Sequence, residues 1–114
     1  MKYMMFVVVD PAARAEAEAN PTPDELTIEQ WLEEVEGRRV LGSQLQPVSD
    51  ATTVRVSKGE LLVTDGPFTE SKEWIAGFDI LECADLDEAI AIAAKHPQAN
   101  GGKLELRPFW TDDE

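Results

Sequence analysis

Apolar residues run without a break from Tyr3 to Val9, with Tyr3, Met5, Val7 and Val9 facing one way and Met4, Phe6 and Val8 the other. A half-exposed strand would alternate apolar and polar positions, so this one is expected inside a sheet and covered on both faces. Asp10 to Asn20 is rich in Ala and Glu and has no apolar stripe, which fits a short exposed helix or a loop. A helix start is expected at Thr22-Pro23-Asp24-Glu25, with Thr as cap, Pro in the first position and Glu three residues after the cap. Ile28, Trp31, Leu32 and Val35 then fall on one helical face, and Glu29, Glu33, Glu34 and Glu36 on a solvated one. Gly37 or Arg38-Arg39 closes the helix, with cations suited to its negative end.

Val40 to Pro47 reads as a short strand or extended loop. Thr53-Val54-Arg55-Val56-Ser57 and Glu60-Leu61-Leu62-Val63-Thr64 flank Lys58-Gly59. A two-residue turn at Lys58-Gly59 sets Val56 opposite Leu61 and Val54 opposite Val63, an apolar face shared by both strands. Trp74 to Glu82 is another strand, with Ala76, Phe78 and Ile80 on one side and Ile75, Gly77, Asp79 and Leu81 on the other. Asp79 within so apolar a strand needs a partner or water. Asp85-Leu86-Asp87-Glu88 has capping-box spacing and opens a second helix through Ala89, Ile90, Ile92, Ala93 and Ala94, which ends at His96-Pro97. Lys103 to Pro108 alternates cleanly and reads as an edge strand.

The order is β α, an inserted β-hairpin, then β α β. The fold class expected is therefore α+β: a ferredoxin-like split βαβ with the hairpin inserted, and an antiparallel sheet covered by two helices on one face. Two helices leave the second face of the first strand bare. A second copy of the chain, packed sheet to sheet as a homodimer, is the economical cover.

Composition narrows the function more than the fold. The 114 residues make one domain, taken as 1–110 with an acidic tail at 111–114. Ten Lys/Arg against 23 Asp/Glu give a net charge of −13, which repels phosphate backbones and anionic lipid. Nucleic acid and membrane are therefore poor partners. No stretch approaches the roughly twenty apolar residues of a membrane span, and the N-terminal run ends at Asp10-Pro11 without a cleavage site. A single cysteine, Cys83, allows no intrachain disulfide and suits a cytoplasmic location.

One loop stands out. In Val63-Thr64-Asp65-Gly66-Pro67-Phe68 the Asp-Gly pair invites a tight turn, but Pro67 has no N–H to close it. The same proline removes the amide that the Asp65 carboxylate would ordinarily accept from. Asp65 must then reach the Phe68 or Thr69 amide, pair with a distant group, or face solvent or a ligand.

Lys2-Tyr3-Met4, Thr53-Val54-Arg55-Val56, the Val63 to Phe68 run with Glu70 and Lys72, Gly77-Phe78, and Glu105-Leu106-Arg107-Pro108 together resemble the YCII-related (DGPF-domain) family over residues 1 to about 109. The resemblance implies a ferredoxin-like fold, dimers of the α/β-barrel type, and a pocket near the Asp-Gly-Pro-Phe loop, between helices and sheet or at the dimer cleft. It also implies, for some members, genes beside extracytoplasmic-function sigma factors. Shorter relatives are proposed to pair a His with an Asp. The one histidine here, His96, does not match that family His and reads as a helix-end residue.

The chemistry weighed is accordingly carboxylate-centred. Asp65 is the candidate general base if Phe68 and Trp74 raise its pKa, and Lys72 or Arg107 would hold an anionic group of the ligand. An ion pair of Asp65 with Lys72 or Arg107 that merely fixes the loop is the structural alternative. Cys83 lacks a nearby base, and one Cys, one His and scattered acids give no metal-ligand spacing. No cofactor is expected. Two readings stay open: a small isomerase- or lyase-type enzyme, and a non-catalytic ligand-binding or regulatory module working with a sigma factor.

Overall fold

The computed structural model describes residues 1–20, 25–67 and 72–111. The first strand, β1 (Lys2–Val9), lies inside a four-stranded antiparallel sheet between β5 (Trp74–Glu82) and β6 (Gly102–Pro108). The outer strand beside β5 is β2 (Arg39–Gln44), giving the order β2-β5-β1-β6. This is the split βαβ arrangement, with β6 at an edge as its alternation suggests. Of the segment at Val40–Pro47, Val40 to Gln44 belong to strand β2 and residues 45–47 are irregular.

The first crossover holds two helices. Asp10 caps α1 (Pro11–Ala19), its Oδ1 accepting from the Ala12 and Ala13 amides at 3.1 and 3.3 Å. The expected cap at Thr22 lies outside the described residues, and residues 25–27 are not helical. Instead α2 (Ile28–Glu34) begins after Thr27, whose hydroxyl accepts from the Gln30 amide while the Gln30 side chain accepts from the Thr27 amide. Both sites satisfy the spacing rule, but Thr27 leaves Trp31 one turn in, where it can be buried. The second crossover is α3 (Leu86–Ala94), capped by Asp85 as the spacing predicts, with Oδ1 accepting from Glu88 N–H at 2.9 Å.

Helices α2 and α3 bury the first face of β1. Tyr3, Met5, Leu81 and Cys83 from the sheet meet Trp31, Val35, Ala89 and Ala93 from the helices. Alanines at the α3 contact let that helix approach the sheet closely, and Trp31 fills the space between α2 and α3. Its indole N–H donates to the Ile92 carbonyl at 2.9 Å, tying the two helices together. The opposite sheet face carries Met4, Phe6, Val8, Phe78 and Ile80, half-buried and without a covering layer among the described residues. A β-bulge between Val7 and Val8 pairs Val8 with Ile75 and Val9 with Trp74. The bulge moves Ile75 to this open face, away from Gly77 and Asp79 with which strict alternation grouped it.

The inserted hairpin, β3 (Thr52–Ser57) and β4 (Glu60–Asp65), forms a two-stranded sheet of its own. Its register sets Val54 opposite Val63 and Val56 opposite Leu61, as counting from Lys58-Gly59 predicts. Both turn residues have positive φ, 52° and 78°, the geometry that matches the twist of flanking strands. The shared apolar face is nonetheless bare, with Val54 62% and Val56 68% exposed. The projecting hairpin raises the radius of gyration to 16.5 Å, against about 13 Å for a compact domain of this length. Among the described residues no helix is long and apolar enough to cross a membrane.

Candidate functional site

Asp79, the polar residue of an otherwise apolar strand, finds its partner in Arg39 at the start of β2. The Arg39 Nε donates to Asp79 Oδ1 at 2.6 Å, and Asp79 is only 6% exposed. The space for this pair is provided by Gly42, directly across the ladder from Asp79. A Cβ on Gly42 would collide with Asp79 Oδ1 and lie 2.7 Å from Arg39 Nη2. The same Cβ would lie 2.6 Å from the Phe78 carbonyl oxygen, so glycine at that position serves both the ion pair and the close approach of β2 to β5.

His96 follows the last turn of α3 and is 8% exposed. Its ring meets the Trp31 indole edge to face, centroids 4.7 Å apart. Its Nδ1 accepts from the Gln98 N–H at 2.9 Å, capping a short turn of 3₁₀ helix at Pro97–Ala99. A backbone N–H can only donate, so Nδ1 carries a lone pair and the neutral ring holds its proton on Nε2. Burial pushes the imidazole pKa below its ordinary 6.5, and the negative charge of Asp79 opposes that shift only in part. The ring is thus held neutral at pH 7, with a fixed tautomer.

Both groups line one cavity of about 700 Å³ between the sheet and α1, α2 and the 3₁₀ turn. That is the size of a small-molecule site. Its apolar wall includes Val7, Val9, Leu32 and Leu45, with Trp74 adding aromatic surface and the fully buried Trp31 lying behind it, and the exposed Arg14 borders it from α1.

The expected site residues fall differently. Asp65 is exposed at the end of β4, paired across to Thr52, and borders no cavity described here. The loop after it is closed by main-chain groups: Gly66 N–H donates to the Ala51 carbonyl at 2.6 Å, and the Gly66 carbonyl accepts from Thr53 Oγ1 at 2.8 Å. Gly66 has φ of +96°, a conformation open to glycine, rather than the ordinary extended backbone that Pro67 favours. Phe68, and the Phe68 and Thr69 amides considered for Asp65, lie outside the described residues. Pro67 borders a second cavity, of about 570 Å³, on the open sheet face with Val8, Ile75, Lys103 and Glu105. Trp74 borders both cavities, whereas Lys72 and Arg107 border neither. Arg107 pairs with Glu105 at 3.4 Å and lies over the Phe6 ring at 5.9 Å.

Asp79 could be singled out in the sequence by its apolar strand. His96 could not, because its burial comes from Trp31, distant along the chain. Cys83 is buried, and burial pushes its thiol pKa up, away from nucleophilic character at neutral pH. Among the described residues no three His, Cys, Asp or Glu side chains gather as metal ligands.

A model of the YCII-related domain matches residues 1–111. An uncharacterized protein of Rhizobium meliloti (strain 1021) is 46% identical over 69 residues, which span 59% of this chain and little more than half, 56%, of that protein. Among solved structures, 5-chloro-2-hydroxyhydroquinone dehydrochlorinase (TftG) of Burkholderia phenoliruptrix AC1100, in complex with 2,5-dihydroxybenzoquinone, superposes with a TM-score of 0.50. The two are 14% identical, over 99% of this chain and 97% of that one. At that identity the likeness is one of fold, the ferredoxin-like α+β fold described above.

Proposed function

The chain belongs to the YCII-related domain family, and on that footing we propose that it binds a small oxygen-bearing organic molecule beside Asp79 and His96 and moves a proton on it. The observation that carries this reading is that two buried titratable groups, one fixed by an arginine and one by a backbone amide, open on the same cavity. A neutral imidazole with its proton on Nε2 is a hydrogen-bond donor. Aimed at a carbonyl or phenolic oxygen, it stabilises the negative charge that gathers there as a carbon-bound proton leaves. The Asp79 carboxylate accepts that proton. Its return to a different carbon completes an isomerisation, and loss of a leaving group completes an elimination. The cavity supplies both partners without a cofactor. In this reading Asp79 takes the role expected of Asp65. The dehydrochlorinase of similar fold, seen with a dihydroxybenzoquinone, is consistent with a planar, oxygen-substituted ligand.

Deuterium wash-in from D₂O into the ring positions of 2,5-dihydroxybenzoquinone, followed by proton NMR, tests the proposal: a deuteron carried by Asp79 adds to a ring carbon, and the original proton then leaves that carbon to the Asp79 carboxylate as the charge returns to oxygen. Wild type is expected to exceed the buffer rate, and His96→Gln and Asp79→Asn to fall by about 10²–10⁴-fold, the usual worth of a positioned acid or base. The acid-side fall in rate should come at a lower pH than an ordinary imidazole would give, because burial lowers the His96 pKa in the folded protein. No wash-in above buffer, or a loss confined to Asp65→Asn, removes the reading.

The bare sheet face supports a homodimer in which two copies pack through Met4, Phe6, Val8, Phe78 and Ile80. Sedimentation velocity should then show a dimer that Phe6→Asp converts to monomer. A concentration-independent wild-type monomer rules it out. The apolar hairpin beyond that face favours, as the second reading, a regulatory module that holds a protein partner. Adding an extracytoplasmic-function sigma factor to the same samples decides it: co-sedimentation lost in Val56→Asp supports that reading, and none with wild type ends it.

A further inference from the structure

The cavity has a charge opposite to that of the molecule around it. Its lining holds two arginines, Arg14 and Arg39, against one carboxylate, Asp79, with His96 held neutral. The whole chain carries −13. Arg39 is already engaged with Asp79. Arg14 is not: among the described residues its guanidinium makes no ion pair and no hydrogen bond, although acids outnumber bases more than two to one in the sequence. The neighbouring acids of its own helix, Glu16 and Glu18, leave it unpaired. Arg38, Lys95, Lys103 and Arg107 each meet a carboxylate, whereas Lys2, Arg55, Lys58 and Lys72 are, like Arg14, without an ion pair among the described residues; of these unpaired cations only Arg14 lines the cavity.

The Arg14 side chain is exposed, and it is its backbone that packing places beside the turn into β6. Gly101, at φ of +108°, turns the chain into β6 so close to α1 that a Cβ there would lie 3.3 Å from Ala17 Cβ and 3.5 Å from Arg14 Cα. Helix α1 is thereby held against the sheet with Arg14 on the cavity wall. Beside it stand Trp74 and the side chains of an apolar wall, with Gln98 as a further polar group.

We propose that the ligand of this cavity is an aromatic carboxylate, its ring lying against Trp74 and the apolar wall and its carboxylate held by Arg14. The fork of the guanidinium fits a planar carboxylate through two parallel hydrogen bonds, which a neutral amide cannot reproduce. This proposal rests on the reading of the Asp79–His96 cavity as the ligand site and adds the class of ligand. An oxygen substituent next to the carboxylate on the ring is the one that His96 Nε2–H would meet.

Isothermal titration with 2-hydroxybenzoate, 2-hydroxybenzamide and cyclohexanecarboxylate tests it on wild type, Arg14→Gln and Arg55→Gln. Arg55 is an exposed hairpin arginine on neither cavity, so its variant changes net charge equally. Wild type and Arg55→Gln should bind the benzoate at least about tenfold more tightly than the amide, as one lost charge-assisted bond implies. They should also favour it over the non-aromatic acid. Arg14→Gln should bind benzoate and amide alike, with affinity for the amide unchanged. Absence of binding by the aryl probes, equal affinities in wild type, or discrimination that survives Arg14→Gln overturns the proposal. Loss of discrimination in Arg55→Gln as well does the same, since that marks a general charge effect. The catalytic reading fails separately. Arg14-dependent binding together with wash-in that is indifferent to His96→Gln would leave an aryl-acid site without the proposed proton transfer.

Discussion

Replacing Trp31 by alanine is expected to destabilise the protein by about 3–5 kcal/mol, the usual cost of truncating a buried aromatic side chain. Trp31 is fully buried between α2, α3 and the sheet. Truncation removes its apolar burial, leaves a void that the helices cannot close, and takes the indole donor from the Ile92 carbonyl, which keeps only the Lys95 N–H at 3.3 Å. For a domain of this size roughly 4 °C of melting temperature accompanies each kcal/mol, so the midpoint should fall by roughly 12–20 °C. Trp31→Phe keeps a ring against His96 but loses the bond to Ile92, and should cost less than half as much. Chemical denaturation of the three proteins measures both effects. A loss under 1 kcal/mol for the alanine variant would mean that α2 does not anchor the core.

The second large effect lies at the Arg39–Asp79 pair. Arg39→Met keeps the aliphatic stem and removes the charge, leaving a buried carboxylate without its partner. Such a break costs about 3–5 kcal/mol, and the partial exposure of the Arg39 side chain, 29%, places this pair at the lower end. Arg39→Met with Asp79→Asn removes both charges, and should regain most of the loss because no uncompensated ion remains. Denaturant titration of the single and double variants gives the coupling directly. If the double variant is no more stable than Arg39→Met, packing of the arginine stem and not charge is what holds β2 to β5.

These two sites mark the limit of what can be read along the chain. Local rules placed β1 inside the sheet, set the hairpin register from Lys58-Gly59, and found the Asp85 cap, because each depends on residues within a few positions. Errors came where a distant group intervened. Gly42 interrupts the β2 pattern for the benefit of a side chain and a carbonyl on another strand. The bulge beside Val7 turns Ile75 to the other face through its pairing with β1. His96 has the local appearance of a helix end, and only packing against Trp31 makes it a buried, neutral ring. Attention to Asp65 followed from a sound backbone argument, since Pro67 does remove its nearest amide. The structure resolves that oddity through Ala51 and Thr53, which close the loop around Gly66 instead.

The separate sheet of β3 and β4 has a consequence for how stability is distributed in the molecule. No ladder joins it to the four-stranded sheet, and a two-stranded hairpin standing alone is marginal in water. The protein therefore comprises two units that open at different free energies, the core near the global value and the arm well below it. An apolar surface that opens and closes cheaply gains order only when something lies against it. Whatever does so draws on the arm, while the Asp79–His96 cavity keeps its geometry in the stiffer half.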